Sequence, residues 1–220
     1  HRGCPYKCAY CNSPSQMAMY RLEQNKSFLR RKTFDNMRRE LLFLKDDMKA
    51  DFLFFWADTF FSWTRKDFET FAELYQEIKL PFWMQTRPET VTNYNLKKLS
   101  QVGLHRISFG LEHGNEKFRR DIVKRDYTNN AAVRKIKIIE KLDITFSVNN
   151  IIGFPDETRE LAFDTIELNR RFNSDNTSCS ILVPFHGTEL HAYAVEKGYL
   201  DPNVICAVSN SGESLLNMPQ

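Results

Sequence analysis

The sequence predicts an α/β fold in which parallel strands alternate with helices. Apolar runs that start near residues 52, 82, 106, 145 and 178 are short enough to be strands. Between them lie stretches whose apolar residues recur every three or four positions, as on one face of a helix. Strands separated by helices in this way pair in parallel through right-handed crossovers.

The predicted elements follow from apolar spacing and from the residues at their ends. An amphipathic stripe predicts a helix over 34–48, and the continuous apolar run 52–57 predicts a strand buried on both faces. Thr64 begins a capping box, and Thr92 can cap a helix that Gly103 ends. The other predicted strands cover 81–86, 106–110, 145–152 and 178–183, the other helices cover 111–125, 128–142 and 158–172, and residues 12–32 are predicted to be polar and irregular.

The composition is that of a globular protein. The chain has 220 residues, 42% of them apolar, and a formal net charge of +3. No apolar run reaches the length of a membrane span, and no basic leader precedes an apolar stretch, so we expect neither a membrane span nor export. So small a net charge does not point to a nucleic-acid partner. We therefore expect a cytoplasmic protein.

The strongest chemical signal is a group of cysteines at the start of the chain. Cys4, Cys8 and Cys11 have the spacing C-x-x-x-C-x-x-C, and Gly3 and Pro5 supply bends between them. Gaps this short let one loop bring three thiolates to one metal centre. A structural zinc ion and a closed iron–sulfur cluster each need four protein ligands. Three thiolates suit a four-iron cluster whose fourth iron is open to another ligand.

Other uses of this loop remain open from the residues alone. Cys8 and Cys11 could form a redox pair, although that pair would leave Cys4 without a role. A catalytic zinc ion with three protein ligands would also fit, but no second C-x-x-C and no H-x-x-x-H follows. Disulfides are not expected in a chain of this length with five cysteines and no signal peptide. Cys179 lies in an apolar run and is expected to be buried.

With Tyr10 as its aromatic residue, the loop resembles the C-x-x-x-C-x-aromatic-C motif of the radical SAM superfamily. The resemblance covers Cys4 to about Leu200 and implies a partial (β/α)6 barrel of parallel strands with outer helices, its first strand truncated. It implies that the three cysteines hold a [4Fe–4S] cluster whose open iron binds S-adenosylmethionine (SAM), with Tyr10 beside these cofactors. The reduced cluster would cleave SAM to a 5′-deoxyadenosyl radical, and an electron donor such as flavodoxin or ferredoxin would reduce the cluster.

The resemblance also implies SAM-binding residues at the carboxyl ends of the strands. The segment F-W-A-D-T-F, centred on Asp58, is similar to one whose backbone binds the SAM amino group, although the glycine-rich form is absent. G-L-E-H-G is similar to a G-x-E element and places Glu112 at the polar end of SAM. Arg125 matches an arginine that pairs with the methionyl carboxylate. N-N-I-I-G-F-P-D-E-T resembles a segment usually ending in G-F-P-G-E-T, which places Asn149 near the ribose and Ile151 on the adenine.

Residues 183–190, V-P-F-H-G-T-E-L, are similar to the P-x-P-G-T-x-L segment of the branch that carries an upstream cobalamin-binding domain. Residues 1–200 are therefore predicted to be the core domain and 201–220 the start of a truncated C-terminal extension. The resemblance implies reductive cleavage of SAM, with cobalamin-dependent methyl transfer to a small-molecule or unknown substrate as one outcome. No side chain is nominated as a general acid or base. The alternatives are a methylthiotransferase-like radical enzyme acting on RNA or protein, and a non-catalytic zinc- or RNA-binding module.

Overall fold

The chain is described by a computed structural model that covers residues 2–206 and 213–218. Within these residues the strands form one sheet in the order β1 (Leu53–Phe55), β2 (Phe82–Thr86), β3 (Leu104–Glu112), β4 (Thr145–Ile152) and β5 (Asn176–Ile181). Every neighbouring pair is parallel. Because the strand order follows the chain order, each crossover advances one place along the sheet. The predicted α/β architecture of parallel strands with outer helices is confirmed.

Helices connect the strands and cover one face of the sheet. They are α1 (Ser13–Gln24), α2 (Phe34–Leu42), α3 (Arg65–Ile78), α4 (Asn93–Ser100), α5 (Glu116–Asp121), α6 (Asn129–Lys141), α7 (Arg159–Asn169) and α8 (Glu189–Glu196). A π-helical turn, Phe43–Asp47, extends α2, and a 3-10 turn, Pro88–Thr90, follows β2. Threonine side chains cap α2, α3, α4, α6, α7 and α8 by accepting a backbone N–H of the first turn. Both caps expected from the sequence, Thr64 and Thr92, are present.

The main apolar core lies between the sheet and these helices. Phe82, Ile107 and Val148 point from three adjacent strands toward this layer and are fully buried with Tyr75 and Ile136 from the helices. Because successive side chains of a strand point to opposite faces, the alternate residues of the same strands face the inside of the open barrel. Those residues are mostly polar, and they form one wall of the site described below.

A second apolar cluster holds the cysteine loop against the end of the barrel. Ala9, inside the loop, packs with Val123, which follows α5, and with Leu190 of α8. The Ala9 N–H donates to the Val123 carbonyl at 3.1 Å, and the Leu190 N–H donates to the Ala9 carbonyl at 3.0 Å. Leu216 belongs to the same cluster, so described residues of the predicted C-terminal extension contact the core domain. Residues 207–212 and 219–220 of that extension lie outside the described residues.

The prediction that residues 12–32 are irregular is wrong, because α1 occupies the first half of this range. Pro14 stands in the first turn, and Asn25 ends the helix with a left-handed φ of 48°. Only Ser13 of this helix is buried. A helix so exposed carries no apolar stripe from which the sequence could predict it. No element was predicted where α8 lies.

The strands at the two edges of the sheet also differ from their predictions. β1 is three residues long, and Phe54 keeps 37% of its surface exposed, so burial on both faces is wrong. β5 starts two residues before its predicted position, and Cys179 on it is exposed rather than buried. Both exposed residues, Phe54 and Cys179, lie on edge strands, which among the described residues have a neighbouring strand on one side only.

The helix predicted over 111–125 is the short α5, and Arg125 lies beyond it with only 2% of its surface exposed. No helix within the described residues is long and apolar enough to cross a bilayer.

Candidate active site

The cysteine loop and the carboxyl ends of the strands enclose a cavity of about 500 Å³. This is the end of a parallel sheet at which ligands bind in α/β folds. The cavity is lined by all nine residues that the sequence singled out, namely Cys4, Cys8, Tyr10, Cys11, Asp58, Glu112, Arg125, Asn149 and Ile151. The structure thus brings these residues together, while the role of each remains a prediction.

Two of the loop sulfurs have hydrogen-bond partners from neighbouring segments. Cys4 Sγ and Thr59 Oγ1, which follows β1, share a hydrogen bond of 3.4 Å. The backbone N–H of Ser13 donates to Cys11 Sγ at 3.4 Å. Burial raises the pKa of the Cys11 thiol. Both partners hold a sulfur atom in a fixed direction at the cavity wall.

The third sulfur contacts a cation. Arg87, directly after β2, donates from Nη1 to Cys8 Sγ at 3.0 Å. Its guanidinium also lies over the Tyr6 ring, 3.8 Å from the ring centroid, and donates from Nε to Glu89 Oε1 at 2.5 Å. Arg87 is 7% exposed. The Cys8 sulfur therefore has a buried positive charge in contact with it.

The three thiols are a donor set that fits an iron–sulfur cluster. Three thiols line one cavity, and each sulfur already has a polar neighbour of the kind that surrounds a metal-bound sulfur. Among residues 2–206 and 213–218, no three His, Cys, Asp or Glu side chains converge closely enough to hold one ion.

Asp58 fastens the start of the cysteine loop. Its Oδ2 accepts a hydrogen bond of 2.8 Å from the backbone N–H of Gly3. Gly3 has a φ of +86°, and a Cβ there would lie 2.9 Å from the Phe28 ring, so the loop needs glycine at this position. Asp58 also lines the cavity, which leaves it available to a ligand as the resemblance implies.

Glu112 is held at the end of β3 in an unusual backbone conformation. Its φ is +69°, and the register of β3 against β4 shifts at this point. Glu112 Oε1 accepts hydrogen bonds from the Tyr10 hydroxyl at 2.8 Å and from Arg125 Nη1 at 2.6 Å. Arg125 Nη2 donates to the Gly110 carbonyl at 2.6 Å. A non-glycine residue in this conformation costs about 1–3 kcal/mol, and such strain is typical of functional sites.

The surroundings of Arg125 and Tyr10 shift the pKa values of both side chains. Burial alone would lower the pKa of Arg125, but the neighbouring Tyr10, Tyr127 and Glu112 raise it well above its usual value. Burial, and then the Glu112 carboxylate, raise the pKa of Tyr10. Arg125 therefore stays a cation and Tyr10 a neutral donor. Arg125 Nε is buried without a partner in the described part of the chain, which leaves one donor unsatisfied near the cavity.

Part of the inner face of the sheet consists of neutral side chains that are joined by hydrogen bonds across the strands. Trp83 Nε1 donates to Ser108 Oγ at 2.8 Å, and Ser108 Oγ lies 2.7 Å from Ser147 Oγ, so three neighbouring strands are linked. One layer closer to the cysteine loop, the Ser178 hydroxyl donates to Asn149 Oδ1 at 2.9 Å. Hydroxyl and amide groups here can hydrogen-bond a neutral polar ligand.

The carboxylate of Glu157 fixes the turn after β4. Glu157 accepts the backbone N–H groups of Gly153 at 2.5 Å and Phe154 at 3.0 Å, and its other oxygen lies 3.1 Å from Nε2 of the buried His113. His113 Nδ1 accepts a hydrogen bond from the Asn115 N–H at 3.1 Å. The other ring nitrogen, Nε2, is therefore protonated and donates a hydrogen bond to Glu157. This arrangement ties the end of β3 to the end of β4.

Asp156, in the position where the resembled segment has glycine, adopts a left-handed φ of 62° as a glycine would. Its carboxylate accepts hydrogen bonds from the hydroxyls of Tyr193 and Tyr199, the latter at 2.7 Å. These bonds lower the pKa of Asp156. They stabilise the side chain in a conformation that usually favours glycine, and they connect this turn to α8.

Sequence analysis did not assign a role to Arg87, Thr59 or Ser13, although all three contact loop sulfurs. Arg87 and Thr59 stand at strand ends, which was the one signal available. His186, in the segment 183–190, is exposed and its ring lies against that of His191, with the centroids 4.4 Å apart and the planes tilted by 44°. It does not line the cavity.

Comparison with known proteins gives one family and several distant structural neighbours. A family model described as the radical SAM superfamily matches residues 1–168. An uncharacterized methyltransferase of Pyrococcus horikoshii is 25% identical over 200 residues, which are 90% of this chain and 42% of that protein.

Two solved structures share the fold. TsrM of Kitasatospora setae, a radical S-adenosylmethionine methyltransferase solved with cobalamin and a [4Fe–4S] cluster, matches 89% of this chain and 38% of its own with a TM-score of 0.70 and 16% identity. OxsB, a cobalamin-dependent S-adenosylmethionine radical enzyme, matches 76% of this chain and 25% of its own with a TM-score of 0.55 and 16% identity. The chain spans less than half the length of each of these three proteins.

Proposed function

The chain belongs to the radical SAM superfamily, and from that premise we propose that it binds a [4Fe–4S] cluster and SAM and cleaves SAM reductively. The observation that carries the proposal is the single cavity in which Cys4, Cys8 and Cys11 lie with the buried Glu112–Arg125 pair. When bound, the reduced cluster supplies an electron to SAM, which separates into methionine and a 5′-deoxyadenosyl radical able to remove a hydrogen atom from the substrate.

The three cysteines hold the cluster as thiolates. Hydrogen-bond partners hold the three sulfurs, and the backbone bonds of Ala9 to Val123 and Leu190 hold the loop to the barrel. A preformed loop of this kind reduces the ordering that cluster binding requires. Thiolate ligands of this kind survive in a reducing compartment, in agreement with a cytoplasmic protein.

Glu112 and Arg125 bind the charged end of SAM. Glu112 supplies a carboxylate that can accept hydrogen bonds from an amino group, and Arg125 supplies a cation that can pair with a carboxylate. In the structure, Arg125 Nη1 donates to Glu112 Oε1 at 2.6 Å, so each group is the partner of the other. Asn149 and Ile151, on the inner face of β4, provide a polar and an apolar contact for the nucleoside. Asp58 lines the cavity beside the loop and completes the polar rim.

An electron donor of the flavodoxin or ferredoxin type reduces the cluster from the outside of the loop. A depression there is lined by Cys8 and Cys11 together with the exposed Lys7 and Arg21. Glu189, at the same depression, is paired with Lys124 at 3.6 Å. The excess of positive charge suits an acidic partner.

Methyl transfer is the reaction class that we propose for the whole protein, with cobalamin supplied by a domain outside this chain. The support is the methyltransferase named among the relatives and the cobalamin-containing structures that share the fold. The cavity of about 500 Å³, lined by neutral and charged polar groups, has the size of a small-molecule site. Full-length protein that binds no cobalamin, as judged by its visible absorption spectrum, would contradict this part alone.

Iron uptake tests the cluster assignment. Anaerobic reconstitution of the full-length protein should give about four irons per chain, as expected for a four-iron cluster. Cys8→Ala should lose the iron, because two thiolates do not retain the cluster. Cys179→Ala is the matched control, since it removes an exposed cysteine on β5, and it should keep the iron. Stoichiometric zinc in place of iron would overturn the proposal.

A further inference from the structure

Arg87 is the only cation among the described residues that hydrogen-bonds a loop sulfur, and no motif identifies it. Cys4 has a threonine hydroxyl as its partner and Cys11 a backbone N–H, whereas Cys8 has the guanidinium of Arg87 at 3.0 Å. The structure therefore places one full positive charge at one corner of the cluster site.

The surroundings of Arg87 fix its position. It follows β2 directly and precedes the buried Pro88, with which a 3-10 turn begins. Its guanidinium is held from the side by Glu89 at 2.5 Å and from one face by the Tyr6 ring at 3.8 Å. With 8% of the side chain exposed, little water is available to screen the charge.

Glu89 places a negative charge next to the Arg87 guanidinium, at its Nε rather than at the Nη1 that contacts Cys8. Its Oε1 accepts the hydrogen bond from Arg87 Nε, and its Oε2 is buried without a partner in the described part of the chain. The carboxylate is therefore committed to Arg87 and reduces the positive field that Arg87 exerts on Cys8. The two residues form a dipole whose positive end points at the sulfur.

We propose that Arg87 acts through Cys8 as a positioning residue that raises the reduction potential of the cluster, and that Glu89 opposes it. The inference rests on the proposed function, because it concerns a cluster bound by Cys8. Reduction adds one negative charge to the cluster. A nearby cation and an N–H group bonded to a cluster sulfur stabilise the reduced form, whereas a nearby anion destabilises it.

The test is the midpoint potential of the reconstituted full-length protein, followed by the electron paramagnetic resonance signal of the reduced cluster without SAM. Arg87→Gln should make reduction about tenfold less favourable, which lowers the midpoint by ~59 mV for a one-electron couple. Glu89→Gln should shift the midpoint in the opposite direction. Arg87→Lys, which keeps the charge without the guanidinium fork, should change the midpoint less than Arg87→Gln does.

A matched control lies on the surface. Arg65 contacts Glu69 at 3.0 Å and lies over the Tyr94 ring at 4.9 Å, so it repeats the same three residue types away from the cavity. Arg65→Gln should leave the midpoint unchanged.

Opposite shifts from the two Gln variants support the inference, since a residue that only stabilises the fold would not produce them. Cluster-replete variants with unchanged midpoints overturn it and leave the proposed function intact. If Arg87→Gln loses its iron, Glu89→Gln decides: an upward shift supports the inference and no shift overturns it. An unaltered protein that takes up no iron overturns the proposed function and this inference together.

Discussion

Glu112 and Arg125 form a buried ion pair, with Glu112 Oε1 and Arg125 Nη1 2.6 Å apart. The pair joins the strained end of β3 to the loop after α5, and the Tyr10 hydroxyl joins it from the cysteine loop. An anion and a cation thus face the same cavity with little water around them. A ligand that carries both an amino group and a carboxylate can replace each half of this pair with its own charges.

Glu112→Gln is expected to weaken SAM binding while the cluster is retained. The substitution keeps the size of the side chain but removes the charge that an amino group would contact. Hydrogen bonds to charged groups contribute about 1.5–3 kcal/mol, so the dissociation constant should rise about tenfold or more. Calorimetric titration of the cluster-replete protein with SAM measures the effect. The control is Glu167→Gln, an exposed residue of α7, and equal affinities in the two variants would contradict the assignment.

Gly110→Ala should produce a similar loss of affinity without touching a charge. A Cβ at Gly110 would lie 2.1 Å from Glu112 Oε1 and 3.2 Å from Arg125 Nη1, so the ion pair has to move. Overpacking of this kind costs roughly 1–3 kcal/mol of unfolding free energy. SAM titration and urea unfolding check both effects, with Ser180→Ala on β5 as a control inside the same cavity. An unchanged affinity would show that the position of Glu112 does not matter.

Glu157→Ala should destabilise the fold more than Glu157→Gln. The carboxylate accepts two backbone N–H groups and the His113 Nε2 proton, and its side chain is 3% exposed. Alanine leaves all these donors buried and unpaired, at a cost of about 1–3 kcal/mol or more, whereas glutamine keeps one acceptor. Urea unfolding measures the order of the two variants, with the exposed Glu167→Ala as control. Equal stability of Glu157→Ala and the unaltered protein would refute the role of this carboxylate.

Asp156 should make stability depend on pH in the acid range. Its pKa is lowered in the folded protein by the Tyr193 and Tyr199 hydroxyls. A lowered folded pKa contributes stability that is fully present above the unfolded value near 3.9 and is lost as the pH falls through the folded value. The difference in unfolding free energy between the unaltered protein and Asp156→Asn should therefore be constant above about pH 5 and shrink below about pH 4. A difference that stays the same down to pH 3 contradicts this assignment, and Asp51→Asn, on the loop before β1, is the control.

Much of the fold was predictable because short apolar runs alternate regularly with helical stripes along the sequence. β4 has the predicted bounds, Thr145–Ile152, since its apolar run is bordered by polar turns. Thr64 and Thr92 cap the helices that their sequences predict. The wrong predictions concern elements that the rest of the fold covers only in part. Helix α1 exposes most of its surface, and β1 and β5 are edge strands. Sequence spacing does not indicate which strand lies at an edge.

The site was predictable as far as its motifs extend. The resemblance identified residues from Cys4 to Ile151, and they line one cavity in the structure. The contact of Arg87 with Cys8 spans 79 positions in the sequence and depends on how β2 meets the cysteine loop. The burial of Arg125 likewise depends on α5 ending at Asp121, four residues earlier than the predicted helix. Such contacts follow from the packed fold, and a local pattern does not contain them.

Release of 5′-deoxyadenosine tests the central claim most directly. Full-length protein with a reconstituted cluster is incubated anaerobically with SAM and a strong reductant, and the products are separated by liquid chromatography. We expect 5′-deoxyadenosine and methionine from the unaltered protein and from Cys179→Ala, and neither product from Cys8→Ala. Cluster-replete, full-length protein that binds SAM but forms no 5′-deoxyadenosine would contradict the assignment of this chain as a SAM-cleaving domain.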